Sequence, residues 1–323
     1  MNLLILHAGA IGDFVLTLSV IQALRASLAA DRVVVIASAA SARLSAGRSA
    51  VDVYLPPESV GLHLLFQKGN ELDRRLAEPL ESSGTVLNFF CGPGEPLDKR
   101  LRQLTPSRVI SVDPRPSAST LARRQHITAQ WAQAVRDQGG TIGEPAPPRI
   151  SVTPRALAEG GAAANISSKP VPPSLRRVVI HPGSGGQAKC WPLERFAALA
   201  DALENAAIQW MLGPVELESR TRRFAVINER VRIRGEQLLI EKDLTPAARH
   251  IASANLFIGN DAGMTHVAAA LGTRTVAIFG PTDPDVWRPV GGHVLTAAPA
   301  SPGPIESVSV EEVLAACQAA EFV

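Results

Sequence analysis

Short, continuously apolar runs alternate with longer segments of helical spacing along most of the 323 residues. "LLILH", Leu3 to His7, is the first such run. From about Asp13 to Ala29 the apolar positions recur as in an amphipathic helix. "RVVVIA" from Arg32, "VDVYLP" from Val51, "TVLNFF" from Thr85 and "RVISV" from Arg108 continue the strand-like set. "ITAQWAQAVRDQG" from Ile127 returns to helical spacing. Strands without polar alternation, separated by helices, predict a parallel sheet covered on both faces.

The pattern breaks at "NISSKPVPPSLRR", Asn165 to Arg177, whose three prolines read as an extended linker. It then restarts. "VVIHPGSGG", "IQWMLG", "QLLIE", "LFIGN" and "TRTVAIFGPTDP" read as strands running into turns. Between them, "WPLERFAALADALENA" reads as a helix with Pro192 near its first position, and "VELESRTRRFAVI" as another. "TPAARHIASA" is a helix expected to be capped by Thr245 with Pro246 first. The helix after "LFIGN" closes at Gly272, and Ser309 with Glu312 forms a capping box for the last helix. The expectation is a two-domain α/β chain: a Rossmann-like domain over 1–164, a linker over 165–176 and a second Rossmann-like domain over 177–323. The last helix is a candidate to pack back on the first domain. In such sheets, ligands bind beyond the carboxyl ends of the strands, so the cleft between two such halves is the natural site.

Composition narrows the function classes. Hydrophobic residues at 46% can fill two cores, and a net charge of +2 is too small for a general nucleic-acid binder. Aromatic residues, at 4%, are too few and too far from the basic ones to make stacking platforms for bases. Cys91, Cys190 and Cys317 are widely spaced and odd in number, which argues against a disulfide framework or a structural zinc site. There is no cleavable leader pattern and no run of 18 apolar residues, so a soluble, cytoplasmic protein is expected.

Three loops at strand ends carry candidate chemistry. In "HAGAIGD", Gly9 and Gly12 let backbone approach a ligand, and Asp13 stands at a helix N-terminus. It is there either as a cap or as a base. "HPGSGGQAKCWP", His181 to Pro192, combines free N–H groups with the charge of Lys189, a composition suited to a diphosphate. It is no Walker A loop, since Ala188 and Cys190 stand where Gly and Ser/Thr are needed. Gly183, Gly185 and Ala188 match a relaxed dinucleotide fingerprint. The next strand, however, ends in Gly213-Pro214 rather than the ribose-binding acid of a nicotinamide-dependent oxidoreductase. In "GNDAGMTHVAAALG", Asp261 ends a buried strand, and the amides of Gly263, Met264 and Thr265 open a helix whose dipole favours an anion. His266 follows, as a site residue or as one bonded to backbone. In "FGPTDP", Thr282 and Asp283 could reach the same cleft or serve the turn alone.

These loops, in this order and spacing, resemble glycosyltransferase family 9, the bacterial heptosyltransferases. The resemblance rests on "GAIGDFVLTLSVIQALR", "HPGSGGQAKCWPLERFAALADAL" and "GNDAGMTHVAAALGTRTVAIFGPTDP", and covers nearly the whole chain. It implies a GT-B fold and an inverting, metal-independent transfer from ADP-heptose to a lipopolysaccharide core acceptor. By the resemblance Asp13 matches the general base, with Gly9, Ala10 and Gly12 on the acceptor side. Ser184, Gly185, Gly186 and Lys189 match the donor-diphosphate loop. Asp261 matches the acid on the donor-sugar hydroxyls, and Ala262, Gly263, Met264, Thr265 and His266 match the helix start near the diphosphate. Glu216 or Glu218 falls at the ribose-contacting position. The chain departs from the family at Ser19, where Pro is common. It departs again at "LNFFCGPGEP", where the family has an acidic, Gln- and Gly-containing segment facing the acceptor.

An inverting displacement needs a base for the acceptor hydroxyl and a counter-charge for the leaving diphosphate. The implied donor is an ADP-sugar and the implied partner a glycan or glycolipid acceptor, with no cofactor, no metal and a monomeric enzyme. "DPD" at Asp283–Asp285 has metal-binding spacing, but its central proline and turn context favour plain turn chemistry. Seven basic residues between Lys99 and Arg124, against Asp113 alone, read as a solvated face or as an attraction to a phosphorylated, membrane-embedded acceptor. A non-catalytic nucleotide-sugar binding protein and a nucleotide-sugar epimerase are the alternatives on the same scaffold.

Overall fold

A computed structural model describes residues 1–38, 40–67, 72–152, 171–213 and 222–320. The chain divides into two compact units, Met1–Ser151 and Val152–Val323. Both are parallel α/β sheets.

In the first unit the strands are β1 (Asn2–His7), β2 (Arg32–Ala37), β3 (Val53–Leu55), β4 (Ser83–Asn88) and β5 (Arg108–Ser111). Their order is β3-β2-β1-β4-β5, and every pairing is parallel. The chain runs outward from β1 to β3 and then returns to β1's other side as β4. That reversal opens a crevice at the carboxyl ends of β1 and β4, where the two following loops diverge. In the second unit β6 (Arg176–His181), β7 (Ala206–Leu212), β8 (Gln237–Ile240), β9 (Leu256–Asn260), β10 (Thr275–Ile278) and β11 (Val294–Ala297) are ordered β11-β10-β9-β6-β7-β8. The equivalent reversal lies between β6 and β9, whose ends are in register at His181 and Gly259.

Several elements differ from expectation for local reasons. The first helix runs Ile11–Leu28, so Asp13 occupies its third position rather than the cap, which is Ala10. Nor is it amphipathic: Phe14 through Ile21 are all buried. Phe14 packs edge-on to His7 of β1, and the helices Ala40–Ser45 and Ile127–Asp137 pack against the helix. Among the described residues it is the one helix long and apolar enough to cross a bilayer, but more than half of it (56%) is buried in the fold. The predicted strand through Phe90 ends at Asn88. Pro192 caps the helix Leu193–Ala202 rather than opening it. The helix expected to start at Thr245 begins at Leu244, with Asp243 as its cap. The capping box of the last helix is present: Glu312 N donates to Ser309 Oγ at 3.1 Å, and Ser309 N donates to Glu312 Oε2 at 2.7 Å. That helix, Val310–Ala320, packs on Leu193–Ala202 and on β10 and β11 of its own unit. Gly272 ends the helix Gly263–Ala270 with φ +79°, a value that favours glycine. All three cysteines are free and buried, and burial pushes the Cys317 thiol up to about 12.

Candidate functional site

In the second unit three adjacent strands, β6, β9 and β10, deliver three loops to one end of the sheet. Asn260, the last residue of β9, joins two of them. Its fully buried amide accepts from Trp191 N at 3.0 Å and donates to Pro182 O at 2.8 Å and Gly183 O at 3.3 Å. One side chain thus pins both ends of the glycine-rich loop. Ser184 Oγ donates to the main-chain oxygen of Asp261 at 3.0 Å, so this hydroxyl holds the loop in place. With its one hydroxyl hydrogen used there, donation from Ser184 to an anion falls to its backbone N–H. At Gly185 and Gly186 an added Cβ would meet nothing within 4 Å, so the middle of the loop borders open space.

Asp261 stands at the centre. Its carboxylate is 7% exposed, and Oδ2 accepts from Lys189 Nζ at 2.6 Å and from Thr282 Oγ1 at 2.6 Å. His266, also buried, brings Nε2 to 4.0 Å from Oδ1. The main chain around Asp261 is fixed: its N–H donates to Ile278 O at 2.9 Å. Lys189 is the more accessible partner, with 35% of its side chain exposed. A buried carboxylate is tolerable because an ammonium and a hydroxyl satisfy it.

The helix Gly263–Ala270 begins beside this carboxylate, with Ala262 as its cap residue. Its amides are not all available to an anion. Thr265 N donates to Ala262 O at 3.0 Å and closes the first turn. Gly263 and Met264 sit where a helix has no internal acceptor for its N–H groups. The Thr265 hydroxyl turns inward to Asn260 O at 2.6 Å, and a Cβ on Gly259 would lie 2.8 Å from it. The Met264 side chain packs against the core, so a contribution from Met264 comes from its backbone. Glu216 and Glu218 lie outside the described residues.

The first unit presents a different loop. Gly9 N donates to Nδ1 of His7 at 3.1 Å, and Ala10 N donates to Oδ2 of Asp13 at 3.2 Å. Asp13 therefore reaches back to the cap residue's amide, as the acid of a capping box does. Gly9 is explained by its neighbours: a Cβ there would fall 2.7 Å from His7 Cε1 and 3.1 Å from Asp13 Oδ2. His7 is packed edge-on to Phe14 and beside Phe89, and burial pushes its imidazole down to about 4. The ring is neutral near pH 7, accepting at Nδ1.

The loop after β4 is held by a buried polar network that motif reading missed. Asn88 Nδ2 donates to Ser111 Oγ at 2.8 Å, and Ser111 Oγ donates to Asp98 Oδ1 at 2.7 Å. Gly94 N donates to Asp98 Oδ2 at 2.8 Å, and Arg102 Nε reaches both oxygens at 3.1 and 3.2 Å. Burial opposes ionisation of Asp98, yet the bonds from Arg102, Gly94 and Ser111 hold its carboxyl below the usual range. Two of the basic residues between Lys99 and Arg124 are thus offset by carboxylates, and two more are tied down on neutral main-chain oxygens. Arg102 binds Asp98, Arg115 binds Asp113, and Arg100 and Arg108 donate to the main-chain oxygens of Leu64 and Gln138. Among the described residues, no group of three or more His, Cys, Asp or Glu side chains is arranged to hold a metal ion.

Residues 116–299, more than half of the chain, match the model of glycosyltransferase family 9 (heptosyltransferase). The chain is 35% identical over 107 residues to lipopolysaccharide heptosyltransferase 2 of Salmonella typhimurium, covering 32% of this chain and 31% of that protein. It is 29% identical over 133 residues to lipopolysaccharide heptosyltransferase 3 of Escherichia coli, covering 36% and 35%. The matching segment spans about a third of the length of these curated relatives. Among solved structures, the ADP-heptose lipopolysaccharide heptosyltransferase II of Escherichia coli superposes with a TM-score of 0.74 at 18% identity, over 100% of this chain and 99% of that one. A family 9 glycosyltransferase from Veillonella parvula gives the same TM-score at 17% identity, over 99% and 97%. These likenesses show the GT-B fold. With the family model taking in the glycine-rich loop, Asp261 and the "FGPTDP" turn together, the chain belongs to glycosyltransferase family 9, the heptosyltransferase family.

Proposed function

We propose that the protein transfers a heptose-like sugar from ADP-heptose to a lipopolysaccharide core acceptor, by direct displacement with inversion at the anomeric carbon. The observation that carries this reading is the Lys189–Asp261 pair, 2.6 Å apart, beside a glycine loop that opens at the β6/β9 reversal. It sets a cation for a diphosphate next to an acid for sugar hydroxyls.

In this reading the backbone of Ser184, Gly185 and Gly186, the start of the helix Gly263–Ala270 and the Lys189 ammonium hold the diphosphate. Either Glu216 or Glu218 takes the ribose. The acceptor oxygen bonds to the anomeric carbon as the bond to the diphosphate breaks, and Asp13 takes the hydroxyl proton. The leaving diphosphate gains one negative charge, which Lys189 and the helix dipole stabilise without a metal. The enzyme works in the cytoplasm and meets its glycolipid acceptor at the inner membrane surface.

The test is a transfer assay with ADP-heptose and a purified lipopolysaccharide core that lacks the terminal heptose. A product of inverted anomeric configuration is expected. Absence of transfer to any core acceptor, or retained configuration, overturns the reading.

A further inference from the structure

Asp261 Oδ2 carries two donors at once, Lys189 Nζ and Thr282 Oγ1, each at 2.6 Å. The two differ in mobility. Lys189 lies at the end of a loop bordering open space, on a long and partly exposed side chain. Thr282 lies on a turn locked into the fold. A Cβ at the neighbouring Gly280 would stand 2.5 Å from Ile305 Cβ, and Gly303 N donates to Gly280 O at 2.9 Å. Asp283 Oδ1 ties the following turn through Asp285 N at 2.9 Å. The main chain of Asp261 cannot follow Lys189, because its N–H and C=O are both engaged.

A diphosphate entering the glycine loop competes with Asp261 for the same ammonium. If Lys189 turns to the phosphates, a carboxylate that is 7% exposed loses the one cationic partner it has at hydrogen-bond distance among the described residues. Leaving a buried charge unpartnered is costly. We propose that Thr282 is a positioning residue for this exchange. Its hydroxyl keeps Asp261 partnered and oriented while Lys189 moves onto the diphosphate, until the donor's sugar hydroxyls reach the carboxylate. The inference rests on the donor assignment made above and adds a residue that acts only through Asp261.

The experiment compares binding of ADP with binding of ADP-heptose by calorimetry. ADP draws Lys189 away and offers Asp261 nothing in return, whereas ADP-heptose brings hydroxyls. Thr282→Val should therefore weaken ADP on the order of tenfold and ADP-heptose by less than about threefold. Thr282→Ser, which keeps the hydroxyl, should restore ADP binding. In an Asp261→Asn background the carboxylate charge is gone, and adding Thr282→Val should leave ADP affinity unchanged. Equal weakening of both ligands, or the same Thr282→Val loss with Asn at position 261, overturns the proposal in favour of a merely structural threonine. Wild-type protein that binds neither ligand overturns the donor assignment, and the exchange falls with it.

Discussion

The main-chain N–H of Gly9 donates to Nδ1 of His7 at 3.1 Å, so the first loop is built on a buried, neutral imidazole. The folded-state value near 4 lies below the ordinary 6.5 of an unfolded chain. The unfolded state therefore binds this proton first as pH falls, and stability is lost between pH 6.5 and about 4. The loss should approach about 3 kcal/mol, the equivalent of the shift. Urea titrations at pH 7 and pH 5 on the wild type and His7→Asn should capture about 2 kcal/mol of it. An equal pH dependence in both proteins would clear His7 of the effect.

Asp13 combines two tasks that substitution can separate. Asn keeps an oxygen for Ala10 N–H but cannot act as a base. Asp13→Asn should keep the melting temperature within a few degrees and lower turnover by roughly 10²–10⁴, the usual worth of a general base. Asp13→Ala should lower turnover similarly and also cost about 0.5–1 kcal/mol of stability through the lost helix-end bond. Near-normal turnover in Asp13→Asn would reduce Asp13 to a helix-end residue.

Asp98 anchors the loop after β4 with both carboxylate oxygens buried. Asp98→Asn should destabilise the first unit by about 2–4 kcal/mol, because one oxygen is replaced by a donor facing Arg102, Gly94 or Ser111. The wild-type contribution of Asp98 is present above the ordinary carboxylate range and is lost as pH falls through its depressed folded value. Chemical denaturation of both proteins at pH 7 checks the first claim. A difference below 0.5 kcal/mol would refute it.

Activity should survive EDTA. Lys189 and the helix dipole are the counter-charges assigned to the leaving diphosphate, so exhaustive chelation followed by assay in metal-free buffer should change turnover by less than twofold. Loss of activity that magnesium or manganese restores would replace that mechanism.

The parallel sheets were legible because continuous apolar runs such as Val33–Ile36 and Leu256–Ile258 have few other solutions. Asp13, Lys189 and Asp261 stand out as candidates because each sits in a glycine-rich loop just past such a run, and of these the structure brings Lys189 and Asp261 together. Asn260 is not singled out by the sequence, and Asn88 stands out only as part of the departure at "LNFFCGPGEP". Each is a polar residue closing an apolar strand, and the partners that explain it lie 69 and 23 residues away. Gly9 also has a reason within the fold that the sequence does not show: atoms of His7 and Asp13 exclude a side chain there. The first helix seemed amphipathic until the two helices that cover it were in place.

That covered helix has a consequence for synthesis. β1 and Ile11–Leu28 leave the ribosome well before β4, yet β1 is a central strand flanked by β2 and β4, and β4 is complete only at Asn88. At bacterial elongation rates the interval is on the order of ten seconds. For that time an apolar helix has no sheet to cover it. Arrested chains ending before β4 should be cleaved by protease within Ile11–Leu28, and chains extended past Asp137 should resist. The order of the strands thus leaves Ile11–Leu28 waiting for elements that are made much later.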